Sequence, residues 1–542
     1  MTDQPVPVPL TAQSAPSDLP SLVRKALAYA AQLEIGSLII TLPDGRRFIA
    51  GGKAPGPNAE LIVHDYAFAQ RLIRAGDIGI GEAYLAKEWD TPDLTAFLQL
   101  FAANHHMIAT MVNNPIVRLI QRFQHWLHRN TKSGSRRNIH AHYDLGNRFY
   151  SSWLDRTMTY SSALYAEGDN DLSSAQKRKY KALADAIDLR PEHHVLEIGC
   201  GWGGFAEYAA GEIGCRVTGL TISKEQYDFA VERMKRAGLS DRVTIKLQDY
   251  RDETGLYDRI ASIEMFEAVG EEYWATYFEQ VATRLKENGR AGLQVITIQD
   301  RFFDTYRKEI DFIRRYIFPG GMLPSPTIMA DMGKKFGLAL EKERIFGLDY
   351  ARTLAEWRDR FHAAWPNLIP MGFDERFRRM WDYYLSYCEA ILFCVRVLDA
   401  ISDPLAGVFA DRIHPRMGRR RFLVAFGTPF IMLGAWMTFA PPDKASGFYL
   451  ALWASVLSLA TTIVQVPYAA WGAELSRSYE GRNRIVAWRE GFTVTGTLIV
   501  HARASACDGH QRSGGNLARA CRADCHSAAA GHSSVPAHAR TG

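Results

Sequence analysis

The residues best placed to do chemistry cluster in Glu197-Ile198-Gly199-Cys200-Gly201-Trp202-Gly203-Gly204. This stretch includes the end of an apolar run, Val195–Ile198, and opens a helical pattern, so its glycines fall in a strand-to-helix turn. There a ligand can come close to the backbone at a helix N-terminus. A dinucleotide would call for an acidic residue about twenty positions further on, at the end of the second strand. Gly219-Leu220-Thr221 occupies that place. A phosphate-binding loop would need a following Gly-Lys-Ser/Thr, which is missing. A cofactor without phosphates fits better, with Glu197 near a methionine or ribose portion and Gln248-Asp249, after the third strand, near an adenine.

Such a turn needs a sheet to hold it. Across residues 175–300 apolar runs alternate with helical patterns: Val195–Ile198, Arg216–Thr221, a helix over Lys224–Arg236, then Val243–Leu247, Asp258–Ile263 and Ala291–Ile298. This succession predicts an α/β core, a mainly parallel sheet with helices on both faces. Upstream, Leu22, Ala26, Tyr29 and Leu33 space out an amphipathic helix over Ser21–Leu33. A strand at Gly36–Thr41, a turn at Pro43-Asp44-Gly45 and a return strand at Arg47–Ala50 come next, and residues 60–105 read as helical and mixed. Residues 21–114 are thus expected to form a small α+β module, preceded by a proline-rich, flexible leader over 1–20 and followed by the catalytic domain over 115–388.

The totals set bounds on this reading. At 542 residues, more than one domain is expected. A net charge of +5 gives no argument for a nucleic-acid partner. The 7 cysteines are scattered, which argues against a disulfide framework. No metal site is expected, since Cys521-x3-Cys525 matches no usual zinc spacing.

Two stretches point toward lipid. Residues 115–142 carry Arg118, Arg122, Arg129, Lys132, Arg136 and Arg137 among Phe123, Trp126 and histidines. That pattern suits an anionic membrane surface, or equally a solvated linker helix. Beyond Cys388, Phe422–Ala440 and Phe448–Ala470 are nearly uncharged and of spanning length, with a basic loop at Asp411–Arg421 before them. From His501 the apolar periodicity is lost, and the tail over 501–542 is read as disordered or out of frame.

Residues 35–388 resemble the cyclopropane-fatty-acyl-phospholipid synthase and mycolic-acid methyltransferase family. The matching stretches are His142–Asn147, Met158–Tyr165, Val195–Gly204, Gly219–Gln226, Gln248–Asp252, Met265–Gly270, Tyr316–Gly321 with Leu323-Pro324-Ser325, and Ala364-Trp365-Pro366. The resemblance implies a Rossmann-like, S-adenosylmethionine-dependent methyltransferase with Glu197, Gly199, Gly201, Gly203, Thr221, Gln226, Gln248 and Asp249 around the cofactor. It implies transfer of a one-carbon unit to the double bond of an unsaturated phospholipid acyl chain, through a carbocation. A bound bicarbonate is the family's base, oriented by Glu267, contacted by Tyr350 and by the backbone of Ile298. A membrane surface and acyl chains are the implied partners, with a homodimer as a further expectation and the cytoplasmic face of the inner membrane as the implied location.

Three positions depart from the synthase pattern. Ser162 stands where it has cysteine, Ile296 where it has histidine, and Ala268 replaces the histidine after the motif glutamate. Serine can still donate a hydrogen bond, whereas the isoleucine side chain cannot. Beside the cyclopropane-forming outcome that the resemblance implies, this opens an alternative in which the cation is resolved differently, giving a methyl-branched or methylated unsaturated chain without ring closure. Cys388 matches a cysteine proposed as a nucleophile in the family, yet the reaction needs no thiolate, and a buried structural thiol is the expected role. From Val395, Leu398–Pro404, Asp411-Arg412, Gly418–Arg421, Tyr479-Glu480, Arg482 and Ala487–Gly491 resemble the sugar–cation symporter branch of the major facilitator superfamily. That resemblance implies a partial all-α transmembrane segment over 395–500, with Asp399 and Asp403 at cation-site positions. With no opposing half to close a pathway, transport is not expected, and the fragment either tethers the enzyme or marks a gene fusion or frameshift.

Overall fold

The computed structural model describes residues 6–10, 16–104, 145–168, 171–411, 428–434, 436, 437 and 453, with side chains of the last long helix described up to Phe393. The chain divides into two units, Met1–Asp399 and Ala400–Gly542, and the first holds every strand found among the described residues.

The N-terminal segment builds a five-stranded mixed sheet in the order β1-β3-β2-β4-β5, from Val8–Pro9 (β1), Ile35–Thr41 (β2), Arg47–Gly51 (β3), Ala54–Val63 (β4) and Trp89–Asp90 (β5). Alternation along β2 buries Leu38 and Ile40 on one face, where they join Phe48, Leu61 and Val63. The helices Ser21–Ala30 and Ala67–Leu85 cover that face through Val23, Leu27, Phe68 and Leu72. Two expectations are corrected here. The proline-rich leader is not wholly flexible: Val8–Pro9 add a parallel edge strand to β3, the Leu10 amide donates to the Ile49 carbonyl at 2.8 Å, and Leu10 and Leu19 are buried. Proline lacks a ladder donor, but an edge strand tolerates it. Residues 60–105 also begin with the end of β4, whose Ala-Pro-Gly-Pro-Asn start disguises a strand as a loop. In the first helix the most buried positions are Val23, Leu27 and Ala30, one residue on from the Leu22 and Ala26 face that the spacing suggested.

The catalytic core is a second five-stranded sheet, all parallel, in the order β10-β9-β6-β7-β8. Its strands are His194–Ile198 (β6), Arg216–Thr221 (β7), Val243–Leu247 (β8), Tyr257–Ile263 (β9) and Leu285–Gln294 (β10). The last strand lies earlier than Ala291–Ile298 suggested, and a register irregularity between Leu285 and Arg290 lets its polar start join the sheet. Chain progression reverses between β6 and β9, so the loops after these neighbouring strands part and open a crevice at the carboxyl edge.

The helix Gly347–Leu368 and the part of the helix Glu375–Asp411 up to Asp399 complete the first unit. Phe149, Trp153, Trp357 and Trp381 interlock between them and the helix Asn147–Trp153, giving a wall of aromatic side chains. The N-terminal module is fixed to this wall by Arg379, which donates to the carbonyls of Tyr84 and Trp89, and by the Tyr84 hydroxyl donating to Asp382 at 2.9 Å. No residue breaks the final helix at Cys388, the expected end of the catalytic part.

The basic stretch over 115–142 and the tail over 501–542 lie outside the described residues, and the apolar stretches over 422–440 and 448–470 lie largely outside them. Among the described residues no helix is long and apolar enough to cross a membrane, so the expected transmembrane segment has no support from them.

Candidate active site

A cavity of about 1050 Å³ opens at the reversal between β6 and β9. Glu197, Gly199, Gly201, Thr221, Gln226, Gln248, Asp249, Glu267, Ile298, Tyr350 and Cys388 all line it. Of the residues expected in the site, Gly203 and Ser162 are not among the lining ones.

One end of the cavity is made of tight turns. Gly199 has φ +80°, and a Cβ there would lie 2.8 Å from the Met265 side chain, so only glycine keeps this turn. Gly203 acts one step back. At φ +81° it precedes the helix Gly204–Tyr208, whose N-terminal residues Gly204 and Phe205 line the cavity. Glu197, at the end of β6, is buried, and one of its carboxylate oxygens (Oε2) has no hydrogen-bond partner among the described residues. Burial pushes its pKa up to about 8, against the pull of Arg233 and Lys179. An acceptor left open beside a glycine turn suits the hydroxyl or ammonium groups of an adenosyl amino acid. Thr221 donates to Gln226 at 3.0 Å and accepts the Ser223 amide at 3.2 Å, which fixes the start of the helix Lys224–Arg236. Asp249 lines the cavity, but its carboxylate is clamped by Arg251 at 2.6 and 2.8 Å. It is a rigid part of the cavity wall, with Gln248 beside it.

The other end is acidic within an apolar frame. Glu267 accepts a hydrogen bond from the Ile296 amide, while its Oε2 has no partner among the described residues. Three residues before it stands Glu264, which no motif in the sequence singles out. Glu264 lines the cavity, accepts the Ser162 amide at 2.8 Å and the Gln294 side-chain amide at 2.8 Å, and has φ +49°. A side chain held in the left-handed region at the end of a strand is a mark of a functional position, but no local pattern reveals it. Both carboxylates are enclosed by protein with one face toward the cavity. Burial raises both pKa values, and the charge of Glu264 adds to the rise of Glu267, to about 8. For Glu264 the rise is opposed by Lys179, the Ser162 amide, Gln294 and Tyr350. The two carboxyl groups are therefore coupled, each disfavouring a second charge beside it.

Tyr350 faces Glu264, and burial together with that carboxylate keeps its hydroxyl protonated. Ser162 is buried, its own hydroxyl donating to the Ala163 carbonyl, so it serves through its backbone amide. The Ile298 amide donates to the Pro324 carbonyl at 2.9 Å and is not available to a ligand. Cys388 reaches the cavity wall, but burial raises its thiol pKa and it is held as the neutral thiol. Around these groups Ile80, Phe97, Leu98, Phe101, Phe318 and Leu392 supply an apolar lining.

The model of the family described as mycolic acid cyclopropane synthetase matches residues 130–401. The tuberculostearic acid methyltransferase UfaA1 of Mycobacterium tuberculosis is 37% identical over 361 residues, which cover 63% of this chain and 82% of that protein. The chain belongs to the mycolic acid cyclopropane synthetase family. The cyclopropane-fatty-acyl-phospholipid synthase of Escherichia coli is 38% identical over 347 residues, 62% of this chain and 84% of that one. The solved cyclopropane synthase MmaA2 of Mycobacterium tuberculosis is 27% identical, with a TM-score of 0.45, over 48% of this chain and 94% of that one. The chain is accordingly an S-adenosylmethionine-dependent methyltransferase, and its cofactor is S-adenosylmethionine. A second model, described as MFS/sugar transport protein, matches residues 385–514, overlapping the end of the first.

Proposed function

We propose that this enzyme adds a one-carbon unit to the double bond of an unsaturated acyl chain in a membrane phospholipid, working at the cytoplasmic face of the inner membrane. The observation that carries this reading is the make-up of the cavity, a glycine turn with an open carboxylate at one end and an apolar lining at the other. An adenosyl cofactor suits the first and a hydrocarbon chain the second. When bound, the cofactor supplies an electrophilic methyl on positively charged sulfur and leaves as a neutral thioether. The chain's own residues do the rest. The apolar lining of the cavity excludes water and lines up an alkene, a weak nucleophile that reacts only when held in line. As the alkene's electron pair forms the new C–C bond, a carbocation develops on the neighbouring carbon. Glu264 and Glu267, which face the cavity there, are the acidic groups placed to stabilise it.

Loss of a proton then ends the reaction. Taken from the new methyl group, it closes a cyclopropane ring; taken from a flanking carbon, it leaves a methylated alkene. A saturated methyl branch would need a separate reduction. Support for the unsaturated product comes from Ile296 and Ala268, which stand in place of two histidines of the synthase pattern. The similar identities to a methyltransferase and to a cyclopropane synthase favour neither outcome.

The test is lipid analysis of bacteria that make unsaturated phospholipids but neither rings nor methyl branches, expressing the full chain or its Glu267→Gln variant. The parent should yield acyl chains one CH2 heavier, and the variant much less. If the variant makes as much product as the parent, Glu267 has no part in the chemistry.

A further inference from the structure

We propose that Glu264 is the base of the reaction and takes the place of bicarbonate, so that this enzyme carries its proton acceptor on its own chain. The inference rests on the acyl-chain reading above.

The acidic end of the cavity is already filled by protein. The groups that the family resemblance assigns to a bound bicarbonate are engaged there by other residues. The amide of Ser162, at the expected ligand position, donates to Glu264 Oε1 at 2.8 Å. Tyr350, the expected hydroxyl donor, faces the same carboxylate and favours its charged form. The Ile298 amide is taken by Pro324. Ile296 supplies no side-chain donor, and its amide goes to Glu267. A bicarbonate would therefore find its donors occupied and would add another anion beside Glu264 in a confined space. The residues present do not fit it.

They do fit a fixed base. Gln294 fastens Glu264 at both ends, its side chain donating to the carboxylate at 2.8 Å and its backbone carbonyl accepting the Glu264 amide at 2.8 Å. The Ser162 amide and the Gln294 side chain both meet Oε1, so neither of these two donors occupies the second oxygen. Lys179, buried and donating to Ser161 at 2.6 Å, is the cation that most favours the charged form. The backbone at φ +49° is a conformation that costs a non-glycine residue free energy, and here two strands and a separate loop hold it in place. The proton transfer balances without any added reagent. A C–H bond breaks, either on the new methyl group or on a carbon flanking the carbocation; the proton goes to the Glu264 carboxylate, and the C–H electron pair forms the third bond of the ring in the first case or a C=C bond in the second.

The test measures turnover of the full-length enzyme on unsaturated phospholipid vesicles, in buffer freed of carbon dioxide and in the same buffer with added bicarbonate. The parent should work equally in both. Glu264→Gln should lose on the order of 100-fold or more in kcat, the scale of a removed general base, while binding S-adenosylmethionine as tightly as the parent. Glu264→Gly, which suits the left-handed backbone and vacates the space, should be inactive without bicarbonate and recover with it. NMR of isotope-labelled bicarbonate should show binding to Glu264→Gly and none to the parent. A parent that stops in carbon-dioxide-free buffer and revives on adding bicarbonate would overturn the assignment of Glu264 alone. A parent inactive in both buffers would overturn the acyl-chain reading with it.

Discussion

The two ends of the cavity are built in different ways. The cofactor end is local: its turn and its open carboxylate come from Glu197–Gly204, eight consecutive residues whose backbone does most of the positioning. The acidic end is assembled from distant parts of the chain. Glu264 is held by Ser162, 102 positions before it, and by Gln294, 30 positions after it, with Tyr350 further on. A backbone turn tolerates little change in residue type but leaves the chemistry general. A converging set of side chains can be changed one by one, and the outcome of the reaction can change with it. On this view the first end sets what the enzyme binds, and the second sets which product it releases.

Substitutions can break that division, and the largest effect is expected at the acidic end. Glu264→Gln should cut kcat by about two orders of magnitude, as for loss of a general base, and leave cofactor affinity unchanged by calorimetry. Gly199→Val should do the reverse. Its Cβ would lie 2.8 Å from Met265 in a left-handed turn. Cofactor Kd should rise by about tenfold or more, since roughly 1–2 kcal/mol is at stake in the backbone alone. Equal losses of affinity in both variants would dissolve the distinction.

A smaller effect concerns stability. Glu267 has a folded pKa raised from 4.5 to about 8 by burial and by Glu264, so the folded state binds more protons than the unfolded chain between those values. For a raised carboxylate, stability is highest at low pH and falls as pH rises from about 4.5 toward 8. Glu267→Gln removes that contribution. Its Tm relative to the parent should therefore improve from pH 5 to about pH 8, as followed by calorimetry. A Tm difference that is flat with pH would show that Glu267 is not buried in this way. The smallest effect is expected at Cys388, where Cys388→Ala should leave kcat within about threefold, because a neutral buried thiol acts as a small apolar group.

The same contrast explains how much of the molecule is legible in the sequence. The parallel sheet and the glycine turn follow from periodicity and from residues adjacent in the chain, and Val195–Gly204 shows both at once. Glu267 is accessible through its motif. Glu264 is not, because nothing beside it announces that Ser162 and Gln294 will meet there. The residue type of Ser162 points to a side-chain donor, yet in the fold its amide is the group that matters. The edge strand at Val8–Pro9 stays hidden for a related reason. Its partner, β3, lies about forty residues away, and prolines are ordinarily a sign of loop.

Acyl-chain modification is tested most directly by proton NMR of phospholipid acyl chains from cells expressing the full chain, compared with cells that do not. The expected result is chains one CH2 heavier whose spectrum shows either high-field cyclopropyl protons or the signals of a methylated alkene. Acyl chains identical in the two cultures, with unsaturated substrate and S-adenosylmethionine both present, would contradict it.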